Sequence, residues 1–200
     1  MTSFIIEKKK IEVFPGIKPD SPLICLNTYG HEGGQVFQQL QSSGCPDFTL
    51  VAVSNLEWDH DMSPWAIPPI SEKDTPCTGG ADDYLDLLLH RILPEAEKAL
   101  PGIPSWRGIA GYSLTGLFAV YAMYQTDVFS RVASMSGSCG SQASGNTLFL
   151  TRRRKRPTVC TFRWEIGSAI PGTNSCNVSK RIRKPSRHST AGRGLTRLSG

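Results

Sequence analysis

The 200-residue sequence lacks several features that define whole classes of protein. No apolar run approaches the roughly 20 residues that a membrane-spanning helix needs. No repeat recurs at the period of a solenoid. The six cysteines form no C-x-x-C pair and no zinc spacing, so we expect reduced thiols rather than a disulfide framework. The N-terminal basic residues follow the apolar ones, which is the reverse of a secretory signal, and a cytoplasmic location is therefore predicted.

Acidic residues are nearly absent from the C-terminal part of the chain. Residues 142–200 contain 13 Lys or Arg and one acid, Glu165, and so carry a net charge of +12. Residues 1–141 contain 9 Lys or Arg and 16 Asp or Glu, a net charge of −7. Leu, Ile, Val and Phe make up less than about a fifth of residues 142–200, a composition typical of disorder. We therefore predict a globular domain over 1–141 and a basic, irregular or disordered tail over 142–200.

Hydrophobic patterns in residues 1–141 alternate between those of strands and those of helices. Loose alternation over 4–14 predicts one or two strands, and short apolar runs predict buried strands at 23–26, 48–54, 107–111 and 131–137. Helical spacing predicts helices near 36–40, over 81–100 and over 114–125, whereas prolines and glycines predict an irregular loop between 55 and 80. This order indicates an α/β fold, with a mostly parallel sheet and flanking helices.

The motif that indicates chemistry lies between a predicted strand and a predicted apolar helix, where residues 111–116 read GYSLTG. This context is typical of a nucleophile elbow, in which a strained turn exposes a serine hydroxyl above the carboxyl end of the sheet. The turn would also aim the backbone N–H of Leu114 at a developing oxyanion. The G-x-S-x-G pattern has glycine where this sequence has Thr115, although Gly116 follows. We predict that Ser113 is a nucleophile, and a plain structural turn is the alternative.

Three segments of the sequence resemble the esterases of the α/β-hydrolase superfamily, in particular the enterochelin-esterase-like branch. They are RGIAGYSLTGLFAVYAMYQTDVFSRVASMSGS, SNLEWDHDMSPWAIPP and PLICLNTYGHEGG, within a resemblance that covers about residues 1–138. The resemblance implies an α/β-hydrolase fold that is C-terminally incomplete here, a Ser–Asp/Glu–His triad in that chain order, and hydrolysis of a small-molecule ester without a metal or other cofactor. It assigns Ser113 as nucleophile, Leu114 as one oxyanion donor, and Tyr29 or Gly30 as the second. An ordinary glycine-rich turn is the alternative for TYGHEGG.

The loop between 55 and 80 is expected near the mouth of this site. The resemblance implies that Trp58, His60 and Trp65 line the substrate pocket, and simple packing of the two tryptophans is the alternative. Asp59, His60 and Asp61 do not match a recurring metal-ligand spacing, so no metal site is predicted.

A serine nucleophile needs a base and an acid that orients the base, and in this fold both follow it in the chain. After Ser113 the sequence offers only Asp127, Glu165 and His188, none of them within the family's usual motif. We therefore expect a hydrolase whose activity is impaired in this chain. His31 and His90 precede the elbow, and His90 is expected to be structural.

We interpret the basic tail as the product of a shifted reading frame. Read one base out of frame, the codons of CGSQASGNTLFLTRRRKRPTVCTFRWEIGS are compatible with LWFPGFREYTFSHEEEKTPDCVYFSLGD, which resembles what the esterases carry after SGS. Two alternatives to an esterase are an inactive scaffold and a nucleic-acid-binding protein that acts through the basic runs 152–156 and 180–184. Such runs bind phosphates non-specifically, and no membrane partner is expected. The sequence does not indicate the oligomeric state.

Overall fold

The computed structural model describes residues 1–69 and 74–135, together with the backbone of residues 158–162. The strands of this described part are β1 (Thr2–Ile6), β2 (Lys9–Phe14), β3 (Leu23–Asn27), β4 (Thr49–Ser54), β5 (Ala66–Ile67), β6 (Cys77–Thr78), β7 (Arg107–Tyr112), β8 (Arg131–Met135) and β9 (Thr158–Phe162). Seven of them form one sheet in the order β1-β2-β4-β3-β7-β8-β9. β1 and β2 are antiparallel to their neighbours, and the pairs from β4 to β9 are parallel. The mostly parallel α/β sheet predicted from the sequence is confirmed.

Helices cover both faces of this sheet. They are α1 (Gly33–Ser42), α2 (Trp58–Asp61), α3 (Ala81–Leu87), α4 (Leu93–Glu97) and α5 (Ser113–Gln125). The larger apolar cluster joins one sheet face to α3, α4 and α5, and the smaller one joins the other face to α1. Phe118 of α5 is fully buried, as the nearly uniform apolar sequence of this helix predicts. No helix within the described residues is long and apolar enough to cross a bilayer.

The helix predicted over 81–100 is interrupted in the structure by a π-helical segment, Leu88–Ile92, between α3 and α4. Pro94 explains the difference because a proline within a helix has no N–H to donate and its ring crowds the preceding turn. A π-helical turn upstream widens the helix and accommodates the missing hydrogen bond. The periodicity of the apolar residues correctly predicted the buried face but did not register this interruption.

Two segments that the sequence predicts to be irregular contain short regular elements. The loop between 55 and 80 holds α2 and the hairpin β5–β6, whose strands pair at Ala66 with Thr78 and at Ile67 with Cys77. The prolines flank these elements rather than occupy them, so no ladder donor is lost. Within 142–200, Thr158–Phe162 forms β9, which is a correction to the predicted irregular tail. Its sequence TVCTF is rich in β-branched residues. The remainder of 142–200 lies outside the described residues.

Three of the cysteines belong to the part of the chain whose side chains the structure describes. Cys25, Cys45 and Cys77 are free cysteines within this part of the chain. Burial raises the pKa of Cys25 to about 12, so this thiol stays protonated at neutral pH and is unsuited to nucleophilic chemistry.

Candidate active site

A sharp turn joins the end of β7 to the start of α5, and Ser113 lies at this turn. Its backbone φ is +51°, a left-handed conformation that is uncommon for a residue with a Cβ atom. The close approach of strand and helix also explains Gly111, since a Cβ atom there would lie only 2.2 Å from the carbonyl oxygen of Thr115. The strained serine and the crowded glycine together are the backbone geometry of a nucleophile elbow.

Thr115 departs from the glycine of the usual motif, and the structure supplies a reason for it. Its side chain is fully buried, and its Oγ1 accepts the backbone N–H of Tyr112 and donates to the carbonyl oxygen of Tyr112, each at 2.8 Å. The hydroxyl therefore satisfies both backbone polar groups of Tyr112, the residue before Ser113. This local bonding is typical of threonine in the first turn of a helix and stabilises the elbow.

The segment after β3, expected to supply the second oxyanion donor, lies against the elbow. The backbone N–H of Tyr29 donates to Tyr112 Oη at 3.1 Å, and Tyr112 Oη donates to Glu32 Oε1 at 2.7 Å. A Cβ atom on Gly30 would lie 2.9 Å from Glu32 Oε2, so the carboxylate occupies the space beside this glycine. Leu114, the other expected donor, belongs to the first turn of α5, where N–H groups have no acceptor within the helix.

The hydrogen bond between Glu32 and Tyr112 shifts the pKa values of both side chains. Desolvation acts to raise the pKa of Glu32, but hydrogen bonds from Tyr112 and from the N–H groups of Glu32, Gly30 and Tyr29 outweigh it and lower the pKa below its usual value. Desolvation and the bond to Glu32 raise the pKa of Tyr112, so its hydroxyl stays protonated. Neither Tyr112 nor Glu32 was predicted from the sequence as part of the site. The signal available for Glu32 was its position directly before a helix, because acidic side chains are favoured at helix N-termini.

Aromatic rings border the elbow. The Trp58 ring lies edge-on to that of Tyr29, with centroids 5.0 Å apart, and 5.8 Å from that of Tyr112. Trp58 and Trp65 both pack partly buried against the larger apolar cluster. His60 Nδ1 lies 2.6 Å from Thr78 Oγ1 of the hairpin. The structure thus brings one of the three predicted pocket residues, Trp58, into contact with the elbow, and it places His60 against β6.

The loop that carries Trp58 is anchored by a buried ion pair. Lys9 Nζ and Asp61 Oδ2 are 2.5 Å apart, with side chains only 8% and 7% exposed. Asp61 Oδ2 also accepts the backbone N–H of Glu57 at 2.7 Å. Asp59 instead accepts a hydrogen bond from the Thr75 hydroxyl. The two acids beside His60 therefore bind different partners. Within the described part of the chain, no group of three or more His, Cys, Asp or Glu could hold a metal ion.

The expected triad partners of Ser113 are not found among the described residues that follow it. From 114 to 135 the chain holds one carboxylate, Asp127, and no histidine. Glu165, His188 and the basic runs 152–156 and 180–184 lie outside the described residues. Of the earlier histidines, His31 Nδ1 is 3.2 Å from Ser54 Oγ, and His90 pairs with Asp86 on the exposed face of its own helix.

A comparison with known protein families identifies the family of this chain. The family model described as "Putative esterase" matches residues 25–169. This chain belongs to that esterase family. The match continues beyond residue 138, where the resemblance seen in the sequence ends, and it includes β9. The α/β-hydrolase fold expected for a member of this family is the one observed.

Individual relatives of this family member are distant. YbbA of Bacillus subtilis, an uncharacterized protein, is 23% identical over 134 residues, which cover 62% of this chain and 54% of YbbA. The siderophore hydrolase EstA of Aspergillus nidulans superposes with a TM-score of 0.53 at 18% identity, over 68% of this chain and 56% of EstA. An IroE-like serine hydrolase of Shewanella oneidensis superposes with a TM-score of 0.53 at 20% identity, over 65% of this chain and 46% of the hydrolase. The chain thus spans about half the length of these proteins, and the likeness shows a shared fold.

Proposed function

We propose that this esterase-family chain is a serine hydrolase in which Ser113 attacks the carbonyl carbon of an ester. The observation that carries the proposal is the left-handed backbone of Ser113 between β7 and α5. Such strain in a residue other than glycine persists only where the surrounding structure imposes it, and it is characteristic of functional sites. Glu7 and Lys8 share this backbone in the turn between β1 and β2, so what sets Ser113 apart is its position between a parallel strand and the start of α5.

The chemistry follows from this position. The Ser113 Oγ bonds to the ester carbonyl carbon, and the alcohol leaves with the proton that the hydroxyl loses. Negative charge develops on the carbonyl oxygen, where the N–H of Leu114 and the N-terminal end of α5 stabilise it. Water then attacks the acyl carbon, releases the carboxylic acid and restores the serine hydroxyl. The N–H of Tyr29 or of Gly30 is the proposed second donor, and it exchanges its present bond to Tyr112 or Glu32 for one to the carbonyl oxygen of the substrate.

The rate of this reaction depends on a base for the serine proton. Because Asp127 is the one carboxylate and no histidine follows Ser113 in the described range 114–135, acylation is expected to be slow. We therefore propose weak turnover in this chain. Loss of the base leaves only the contribution of the oxyanion donors and of substrate binding.

The proposed substrate is a small-molecule ester. EstA is described as a siderophore hydrolase, so siderophore esters belong in the substrate panel. Trp58 and the largely exposed ring of Tyr29 offer an aromatic surface beside the elbow on which a planar substrate group can stack. His60 and Trp65 remain predicted lining residues, and the cytoplasmic location remains a prediction.

Pre-steady-state hydrolysis of p-nitrophenyl acetate tests the acyl-enzyme. We expect a slow burst of p-nitrophenolate that approaches one equivalent per chain, followed by still slower turnover, because water must release an acyl ester less activated than p-nitrophenyl acetate without the same base. Mass spectrometry of the peptide that contains Ser113 should show the acetyl group during the burst. Linear release from time zero with an unmodified peptide would contradict the proposal and favour an inactive scaffold.

We also propose that residues 142–200 are the product of a shifted reading frame. The change from a net charge of −7 to +12 and the likeness of the recoded sequence to what the esterases carry after SGS support this. The match of the esterase model as far as residue 169 weighs against it, and the experiment decides between the two. Sequencing the gene across codons 130–200 is expected to show one inserted or missing base, whose correction restores LWFPGF and, further on, an in-frame histidine. The present frame in independent reads, with the same tail in related strains, would refute the proposal.

A further inference from the structure

The side chain of Tyr112 connects two segments that lie far apart in the sequence. It belongs to the residue directly before Ser113, yet its hydroxyl binds the N–H of Tyr29 and the carboxylate of Glu32. One hydroxyl thus serves as acceptor for the loop and as donor to the residue that precedes α1. These bonds join the end of β7 to the segment between β3 and α1.

We propose that Tyr112 and Glu32 are positioning residues that hold the Tyr29–Gly30 loop and the aromatic surface beside Ser113. The inference rests on the proposed function, because the loop matters only if Ser113 reacts. Neither side chain is assigned a contact with the reacting atoms. Their role is to set the distance between the loop and the first turn of α5.

The charge on Glu32 is central to this role. A carboxylate is a stronger hydrogen-bond acceptor than a neutral group, so it orients the Tyr112 hydroxyl hydrogen toward itself. The lone pairs of the phenolic oxygen are then available to the N–H of Tyr29. Glycine at position 30 leaves room for the carboxylate, which a Cβ atom would crowd at 2.9 Å.

Ring contacts join the same two segments. Tyr29 and Tyr112 both contact Trp58, so the hydrogen bonds and the ring contacts constrain one another. Loss of the Tyr112 hydroxyl would leave the ring packing in place but remove one of the two side chains that accept the N–H of Tyr29. A change of loop geometry of about 1 Å is sufficient to slow a reaction strongly.

Tyr112→Phe tests the connection because it removes one oxygen atom and keeps the ring. We expect the Tyr29 amide in the full chain to exchange its hydrogen about tenfold faster, as measured by NMR, with amides of β8 unchanged. Glu32→Ala should act in the same direction, and Glu32→Gln, which retains an acceptor, should recover part of the protection. Tyr124→Phe, at the far end of α5, is the matched control. Unchanged Tyr29 exchange in Tyr112→Phe would overturn the inference.

The catalytic consequence is measured with a fluorophosphonate that labels the serine. Tyr112→Phe is expected to lower the maximal labelling rate about tenfold with little change in the half-saturating probe concentration, and Glu32→Gln should lower it less. Faster Tyr29 exchange with an unchanged labelling rate would overturn the positioning role. Failure of the unsubstituted chain to become labelled at Ser113 contradicts the proposed function instead, and that result is distinct from unchanged Tyr29 exchange.

Discussion

Ser113→Ala is expected to abolish the p-nitrophenolate burst and to reduce fluorophosphonate labelling to below about 1% of that of the unsubstituted chain. The substitution removes the single oxygen atom that forms the covalent bond. Alanine retains a Cβ atom, so the left-handed backbone at this position costs about the same as it does for serine. The fold should therefore persist, and the loss should be purely chemical. Intact-mass spectrometry after incubation with the probe measures the labelled fraction.

The matched control for this prediction is Ser105→Ala. Ser105 is exposed and precedes β7, so it lies at the opposite end of the strand that leads into the elbow. The Ser105→Ala variant should leave fluorophosphonate labelling and the p-nitrophenolate burst unchanged. Labelling that persists in Ser113→Ala would assign the reactive group elsewhere and would exclude the elbow serine as nucleophile.

Asp61→Asn is expected to lower the free energy of unfolding by about 3–5 kcal/mol, because it leaves the Lys9 ammonium buried without its partner. Asparagine keeps nearly the same shape and can still accept the N–H of Glu57, so the change isolates the charge. Urea denaturation followed by tryptophan fluorescence measures the difference. The same loss should disturb the ring contacts of Trp58, since this residue belongs to the same short helix as Asp61.

Two variants separate the ion pair from general effects of charge. Glu95→Gln removes one partner of the exposed Lys98–Glu95 pair and should change stability by less than about 1 kcal/mol. Lys9→Met combined with Asp61→Leu removes both charges and should recover much of the stability, because apolar groups of similar volume can replace a buried ion pair. A double variant as unstable as Asp61→Asn would show that packing, rather than the isolated charge, causes the loss.

The elements that the sequence predicted correctly are those whose signal is local. β3, β4, β7 and β8 are short apolar runs buried within the sheet, and their composition alone indicates that environment. The elbow was equally accessible, since a strand, a serine among small residues and an apolar helix follow one another directly. Where prediction failed locally, as at the π-helical segment, a single proline had outweighed the periodicity.

The contacts that define the site could not be predicted in this way. Tyr112 and Glu32 are 80 positions apart in the sequence, and Lys9 and Asp61 are separated by most of three strands and a helix. Neither pair leaves a pattern in its own neighbourhood, because a tyrosine or a lysine on a strand is equally compatible with solvent. Thr115 is a further example. In the sequence it departs from the glycine of the G-x-S-x-G motif, whereas in the structure its buried hydroxyl bonds to Tyr112 and supports the turn.

The amino-acid sequence by itself determined the order of strands and helices, the position of the elbow and the division of charge between 1–141 and 142–200. These features depend on the periodicity and composition of neighbouring residues, which folding does not alter. Only the tertiary structure decided that the Tyr29 loop, Trp58 and Glu32 meet at Tyr112, the residue before Ser113, and that Asp61 binds Lys9. Parallel strands bring the loops that follow them to one edge of the sheet, and which side chains meet there depends on strand order and register.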